Sequence, residues 1–310
     1  MTEIPAEFCL IARHFRPLAG PGALDLLDDA AVVMPPPGRE LVLTADAIVE
    51  GVHFLPDDPP ATVGRKLLRV SLSDLAAMGA TPWAYLMTVS VPRGTPDAWF
   101  VAFCAGLRQD QAQYGVTLLG GDTTSTPGPI SLSATLLGHV PPGQALRRTG
   151  ALPGDEIWVT GTIGDGALGL RALRGALLDP DGFLADRYRL PQPRVGLSLQ
   201  GLVHACMDVS DGLVQDVGHL CRAAGLAAEI DPARVPRSAA ARAAGAGWLE
   251  TCLTGGDDYE LVLAVPPGGG DALRQATGSV AVTRIGHFSS GAGVSLRGTG
   301  TPGSAGWSHF

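Results

Sequence analysis

The chain has 310 residues, 45% of them hydrophobic and only 17% charged, with a formal net charge of −8. That balance fits a well-buried globular protein of about two domains and argues against disorder as the main theme. The basic residues are almost all arginine and scattered, so no stripe offers itself to nucleic acid. Cys9, Cys104, Cys206, Cys221 and Cys252 are far apart and form no CxxC, which argues against a disulfide framework or zinc site and points to a reducing cytoplasm.

The N-terminal "MTEIPAEF" has neither the basic segment nor the apolar core of a signal peptide. Cys9 follows in the apolar, helix-like run "EFCLIARHF", where burial is expected. Strands are predicted at "AAVVM", "ELVLTAD", "WAYLMTVSVP", "VTLLGGD", "ISLSATLLGHV", "EIWVTG", "ACMDVS" and "ELVLAV". Between them, Val63, Leu67, Val70, Leu75 and Met78 recur near one face of a helix over 62–78, stopped by Gly79. A second helix starts at "TPDAWFVAFCAGL", with Thr95 as cap, Pro96 at the first helical position and Gly115 at its end. The uncharged stretch 75–92 is interrupted by Gly79 and Pro82, so no membrane span is expected. Glycine and proline cluster over 139–155, placing a domain boundary at about 143, with domains 1–143 and 144–310. "PPGGGDALRQATGS" reads as a loop and short helix, and "SSGAGVSLRGTGTPGSAG" as a mobile tail region.

Acidic residues recur at one kind of place. Asp28 and Asp29 precede "AAVV", Asp46 ends "LVLTAD", Asp122 ends "LLGGD", Asp208 ends "ACMD", and Asp257 and Asp258 precede "YELVLAV". Strand ends beside glycine are where α/β proteins build sites. Asp74 differs, being set on a helix among Leu72, Leu75 and Ala76, where a buried carboxylate needs a partner. Any one of these aspartates suits a turn or helix cap; as a set of hard oxygens without grouped His or Cys they suit Mg2+ or Ca2+. There is no Walker A loop around the only lysine, Lys66, and no EF-hand, G-x-S-x-G or HExxH pattern. In "MDVSDGLVQD", Asp208 and Asp211 would hold metal while Ser210 and the amides of a helix start meet an anion. Asp216 is read either as part of this site or as no more than a solvated or helix-capping carboxylate. "VTGTIGDGALGL" offers a second strand, Gly-rich turn and helix start.

Taken in order, "FCLIARHF", "DDAAVV", "LTADAIVEGVHF", "RVSLSDLAAMGATP", "LLGGDTTST", "GQALRRTGALPGDEIWVTGTIGD", "RYRLPQPRV", "MDVSDGLVQDVGHL", "GGDDYELVLAVP" and "GWSHF" cover nearly the whole chain. Together they resemble the thiamine-monophosphate kinase family, in the superfamily of aminoimidazole ribonucleotide synthetase, selenophosphate synthetase and the hydrogenase-maturation dehydratase. The resemblance implies an α/β (α+β) two-domain aminoimidazole-ribonucleotide-synthetase-like fold. Its N-terminal sheet would pair into the barrel of a homodimer, and its nucleotide would lie in a groove between an N-terminal and a C-terminal α/β domain. It further implies ATP-dependent phosphorylation of thiamine monophosphate to thiamine diphosphate, with several Mg2+ ions and often K+. Asp29, Thr44, Asp46, Asp74, Asp122, Asp208 and Asp211 match metal ligands, with Asp122 and Asp211 as the catalytic carboxylates. Gly121, Arg148 and Ser210 match ATP contacts, and His53, Asp257 and Trp307 match positions facing the thiamine phosphate. Three features depart from the family pattern: "DLL" replaces Gly-x-Gly before Asp28, Ala45 replaces a hydroxyl residue, and Asp257 replaces glutamate. The readings held against the kinase are a sister ATP-dependent enzyme with another acceptor, and a thiamine-phosphate or nucleotide-binding protein without turnover.

Overall fold

In the computed structural model, residues 5–298 and 306–308 are described. The chain forms two compact units: residues up to Leu75 with Ala80–Gly143, and Ala76–Gly79 with the residues from Gln144 onward.

The first unit opens with the short helix α1 (Ala6–Leu10), followed by β1 (Glu40–Val49), α2 (Pro60–Ala77), β2 (Thr81–Pro92), α3 (Asp97–Tyr114), β3 (Thr117–Thr126) and β4 (Ser131–Val140). The strands make one sheet in the order β1-β4-β2-β3. β4 runs antiparallel to both neighbours, while β2 and β3, joined through α3, are parallel. Burial along β4 alternates residue by residue, so one face of the sheet is covered. α2 supplies cover: its Leu75 side chain lies 3.2 Å from where a Cβ on Gly138 would sit. α2 and α3 cross closely because each has a glycine there; a Cβ on Gly106 would come within 2.0 Å of the Ala61 carbonyl. Inside the crossing, Asp110 is fully buried, accepting from Arg65 Nε at 2.9 Å and from Arg69 Nε at 2.6 Å.

The second unit contains β5 (Glu156–Thr160), α4 (Asp165–Leu173), α5 (Phe183–Arg189), β6 (Ala205–Val209), α6 (Leu213–Ala224), β7 (Leu226–Ile230), α7 (Ala239–Ala243), α8 (Leu249–Thr254), β8 (Glu260–Val265), α9 (Gly270–Thr277), β9 (Val282–Ser290) and β10 (Gly293–Leu296). Its sheet has the order β10-β7-β9-β5-β8-β6, antiparallel except for β10 against β7. Both faces are covered. Ile157, Val159, Met207 and Val262 pack with Leu213, Val217 and Leu220 of α6, while Trp158, Leu261 and Leu263 pack with Leu273 of α9. Each such side chain contributes about 1.5–3 kcal/mol when fully covered. Two-sided burial is why "ELVLAV" reads as an unbroken apolar run.

Several expectations need correction. "AAVVM" forms no strand: it runs as coil into three prolines, with Val32 and Met34 largely exposed. Thr95 does not cap α3, since its Oγ1 donates to the Pro92 carbonyl at 2.8 Å, and Pro96 is the capping residue itself. Cys9 is exposed; the other four cysteines are buried, and none of the five is in a disulfide. The tail read as mobile contains the end of β9 and all of β10, which gains order by pairing with β7; 299–305 lie outside the described residues. Among the described residues, no helix is long and apolar enough to cross a membrane.

Candidate functional site

In the first unit, strand periodicity puts Thr44 and Asp46 on one face of β1, and one helical turn puts Ser71 and Asp74 on one face of α2. These faces meet. Thr44 Oγ1 donates a hydrogen bond to Asp74 Oδ2. Burial first, and then the Asp74 charge, push the Asp46 carboxyl up to about 6; the Ser71 hydroxyl draws it only partly back. Ser71 is itself fully buried. Crowded carboxylates and hydroxyl oxygens form an all-oxygen donor set that fits a hard divalent cation.

Asp29 and Asp122 are brought together elsewhere. With Asp28, Gly120 and Gly121 they line a cleft of about 590 Å³ whose apolar wall includes Phe15 and Met87. Both aspartates are exposed, and Asp122 Oδ1 accepts from the Thr123 amide at 2.9 Å. Register runs Asp46↔Ala134↔Met87↔Gly121, which sets Asp46 three strand spacings, about 14 Å, from the Asp122 neighbourhood. Gly121 has a structural reason of its own: at φ +152° a Cβ would lie 1.7 Å from the Met87 carbonyl. His53 follows β1 in a turn, its Nδ1 accepting from the Val49 amide at 3.0 Å while its carbonyl accepts from buried Lys66 at 2.8 Å.

In the second unit, β6 carries Asp208, 3% exposed, and the turn after it carries Ser210 and Asp211. The amides of this turn are not open to an outside anion, contrary to the expectation. Those of Ser210, Asp211 and Gly212 all donate at 3.1 Å to Asp216 Oδ2. Asp216 is therefore neither solvated nor an ordinary cap: it is 1% exposed, and burial, then Asp211, raise its carboxyl to about 7. The second Gly-rich turn is filled in the same way, since Asp258 accepts from the amides of Gly164 at 2.7 Å and Gly166 at 3.1 Å. Asp258 is fully buried, and burial holds its carboxyl well above the usual range.

The loop bearing Asp257 is laid onto the Ser210 turn. Asp257 and Tyr259 donate their amides to the carbonyls of Ser210 at 2.9 Å and Val209 at 2.8 Å, with φ of 69° and 53°. Gly256 is required there, because a Cβ would meet the Ser210 carbonyl at 2.2 Å. Trp307, about half exposed, docks on the same turn: its amide donates to the Asp211 carbonyl at 2.9 Å, and Gln215 Nε2 bridges Asp211 Oδ2 and the Trp307 carbonyl at 3.2 and 2.7 Å. His309 and Phe310 lie outside the described residues. Arg148 is exposed; burial, then Arg222 and Arg148, lower the pKa of His219, whose ring lies within 4.8 Å of Asp211 and Asp216 oxygens.

Sequence reasoning gave no role to Ser71, His219, Glu260, Arg187 or Arg194. Glu260 is fully buried and accepts from Thr160 Oγ1 at 2.7 Å, from both Arg194 Nε and Nη2, and from Arg187 Nη2 at 3.2 Å. The signal was present as arginines spaced in "RYRLPQPR" and a glutamate opening an apolar strand.

Residues 27–140 match the family model "AIR synthase related protein, N-terminal domain", and residues 153–298 its C-terminal counterpart. Among curated relatives, the thiamine-monophosphate kinase of Caulobacter vibrioides is 47% identical over 98% of this chain and 91% of its own length. That of Escherichia coli (strain K12) is 40% identical over 89% and 87%. Among solved structures, thiamine-monophosphate kinase from Stenotrophomonas maltophilia superposes with TM-score 0.85 at 40% identity, covering 97% of this chain and 98% of that one. AaThiL complexed with AMPPCP and TMP superposes with TM-score 0.81 at 30% identity, covering 91% of each.

Proposed function

We propose that this chain, which belongs to the thiamine-monophosphate kinases among the AIR synthase related proteins, transfers the γ-phosphoryl group of ATP to the phosphate of thiamine monophosphate, giving thiamine diphosphate and ADP. The observation that carries the reading is the Thr44–Asp46–Asp74 cluster, a crowding of carboxylates in a chain otherwise short of charge and similar throughout to such kinases. In the transfer the γ-phosphorus leaves its bridging oxygen on ADP and bonds to an acceptor phosphate oxygen. That oxygen is already weakly basic, so positioning and charge neutralisation dominate and no general base is assigned.

Asp29, Thr44, Asp46, Asp74, Asp122, Asp208 and Asp211 are the residues to hold Mg2+, with Asp122 and Asp211 closest to the chemistry and K+ as a further ion. Bound Mg2+ supplies charge neutralisation on the phosphates. Arg148 would add a planar guanidinium to the nucleotide contacts, and Gly121 and Ser210 are the other contacts assigned. With Nδ1 accepting from Val49, a neutral His53 carries its proton on Nε2, the form that donates to a phosphate oxygen. Trp307 presents an indole face suited to the thiazolium cation, and Asp257 lies on the loop beside it.

Residues 1–143 form the ATP/Mg2+ and dimerisation domain in this reading, and 144–310 complete nucleotide and substrate binding. Leu41, Leu43 and Leu86, exposed on the first sheet, support a homodimer paired through it. Five cysteines outside any disulfide support a cytoplasmic location. The test is product analysis after incubation with ATP, Mg2+ and thiamine monophosphate, beside a chelated control. Magnesium-dependent thiamine diphosphate is expected; unchanged thiamine monophosphate would move the assignment to another acceptor or to binding alone.

A further inference from the structure

We propose that Lys66 is a positioning residue for the acceptor: its buried ammonium fastens the turn that carries His53 to the helix that carries Asp74, so that acceptor contact and cation cluster are held on one frame. The inference rests on the roles given above to His53 and to the aspartates. Lys66 is the chain's only lysine and is 2% exposed. Burying an ammonium is costly unless it is hydrogen-bonded. Here one bond goes to backbone at the functional turn, Lys66 Nζ donating to the His53 carbonyl at 2.8 Å. A hydrogen bond from a charged donor is about twice as strong as one between neutral groups.

The turn's own bonds are local. The Val49 carbonyl accepts from the amides of Val52 at 3.1 Å and His53 at 2.9 Å, the Phe54 carbonyl from Gly51 at 2.7 Å, and buried Asp58 Oδ2 from Leu55 at 2.8 Å. The His53 ring adds one more, accepting from the Val49 amide at 3.0 Å. These bonds shape the turn, and Glu50 ties its start to Ile130, ahead of β4. Lys66 ties the His53 position itself to α2. Further along the same helix, Asp74 Oδ2 accepts from Thr44 Oγ1 of β1. Lys66 precedes Asp74 by about 12 Å of helix. The chain from β1 into the turn is therefore fastened to α2 at two points, one at the cation cluster and one at His53. An acceptor phosphate met by His53 and a cation held by Asp74 then keep a set separation, and positioning is what phosphoryl transfer draws on most.

The test titrates thiamine monophosphate into the full chain by calorimetry, with Mg2+ and a non-hydrolysable ATP analogue present, beside KM for ATP and thermal unfolding. The proteins are the wild type, Lys66→Met, Lys66→Gln, His53→Ala and the Lys66→Met/His53→Ala double variant. Lys66→Met keeps most of the side chain and removes the donor; Lys66→Gln is neutral and shorter but still a donor. Lys66→Met is expected to weaken thiamine monophosphate binding about tenfold, with KM for ATP little changed, and Lys66→Gln to weaken it less. In the His53→Ala background Lys66→Met should add little, because a residue that acts through another has no separate effect once that one is gone. A lowered melting temperature with full thiamine monophosphate affinity, equal losses for both substrates, or single losses that multiply in the double variant would each overturn the proposal, marking Lys66 as a general brace. Where Lys66→Met does not fold, Lys66→Gln and its double variant with His53→Ala are read against the same outcomes. No binding by the wild type, or unchanged binding in His53→Ala, would instead sink the substrate reading on which the proposal rests, a separate failure.

Discussion

Glu260→Gln is the sharpest probe of how the second unit holds its functional loop. The carboxylate is fully buried and receives two bonds from Arg194, one from Arg187 and one from Thr160, whose hydroxyl in turn accepts from the Leu261 amide at 2.8 Å. Glutamine keeps the shape and one acceptor oxygen, but its NH2 would face guanidinium donors, and the neutralising charge disappears. Breaking a buried ion pair from one side costs about 3–5 kcal/mol, because the partner is left buried without a counter-charge. Since Glu260 directly follows the Asp257–Tyr259 turn, KM for thiamine monophosphate should rise as well. The assay is urea unfolding followed by circular dichroism, with Arg194→Gln and the double variant closing a cycle. A coupling near 2–3 kcal/mol is expected for groups in one network. A loss below about 1 kcal/mol in Glu260→Gln, or a coupling near zero, would refute the view that this network braces the loop.

Asp46 has a carboxyl raised from 3.8 to about 6, so its ionisation opposes folding. With respect to this group, metal-free protein is most stable below about pH 4 and loses up to about 3 kcal/mol as pH climbs through 6. Asp46→Asn should remove that loss while abolishing turnover, which urea midpoints at pH 4.5 and 7.5 beside an activity assay would check. Gly121→Ala should disrupt the β2–β3 pairing, by roughly 3 kcal/mol or more given the overlap with the Met87 carbonyl; near wild-type stability in thermal unfolding would contradict this. Trp307→Ala should raise KM for thiamine monophosphate about tenfold, a cation–π contact being worth about 1–2 kcal/mol, with KM for ATP little changed in steady-state kinetics.

The strands legible from sequence were those with dense apolar runs, such as "ELVLAV", whose two faces are both covered. β7, β9 and β10 were missed for a physical reason: in β9, "VTRIGHFSS" is interrupted by Arg284, Gly286 and His287 and is held by pairing with β5 and β7. "LAAEI" is alanine-rich and follows the helix-ending Gly225, and "GVSL" is short; both depend on neighbouring strands more than on propensity. "AAVVM" had the composition of a strand and no partner to pair with. The candidate carboxylates could be listed from sequence, but their surroundings could not. Asp216 and Asp258 look like any turn aspartate until the fold points amides at them, and Ser71 is one serine among apolar residues until its burial is seen.

The aspartates lodged in the two glycine-rich turns have a bearing on nucleotide choice. A phosphate arriving alone finds both cradles already filled by the protein's own carboxyl groups, and the chain as a whole carries a net negative charge. In the reading proposed above, such a surface would favour a polyphosphate that arrives with its cations over a bare one. The molecule recognised would then be the chelate, and the magnesium concentration would set occupancy before any bond is made or broken.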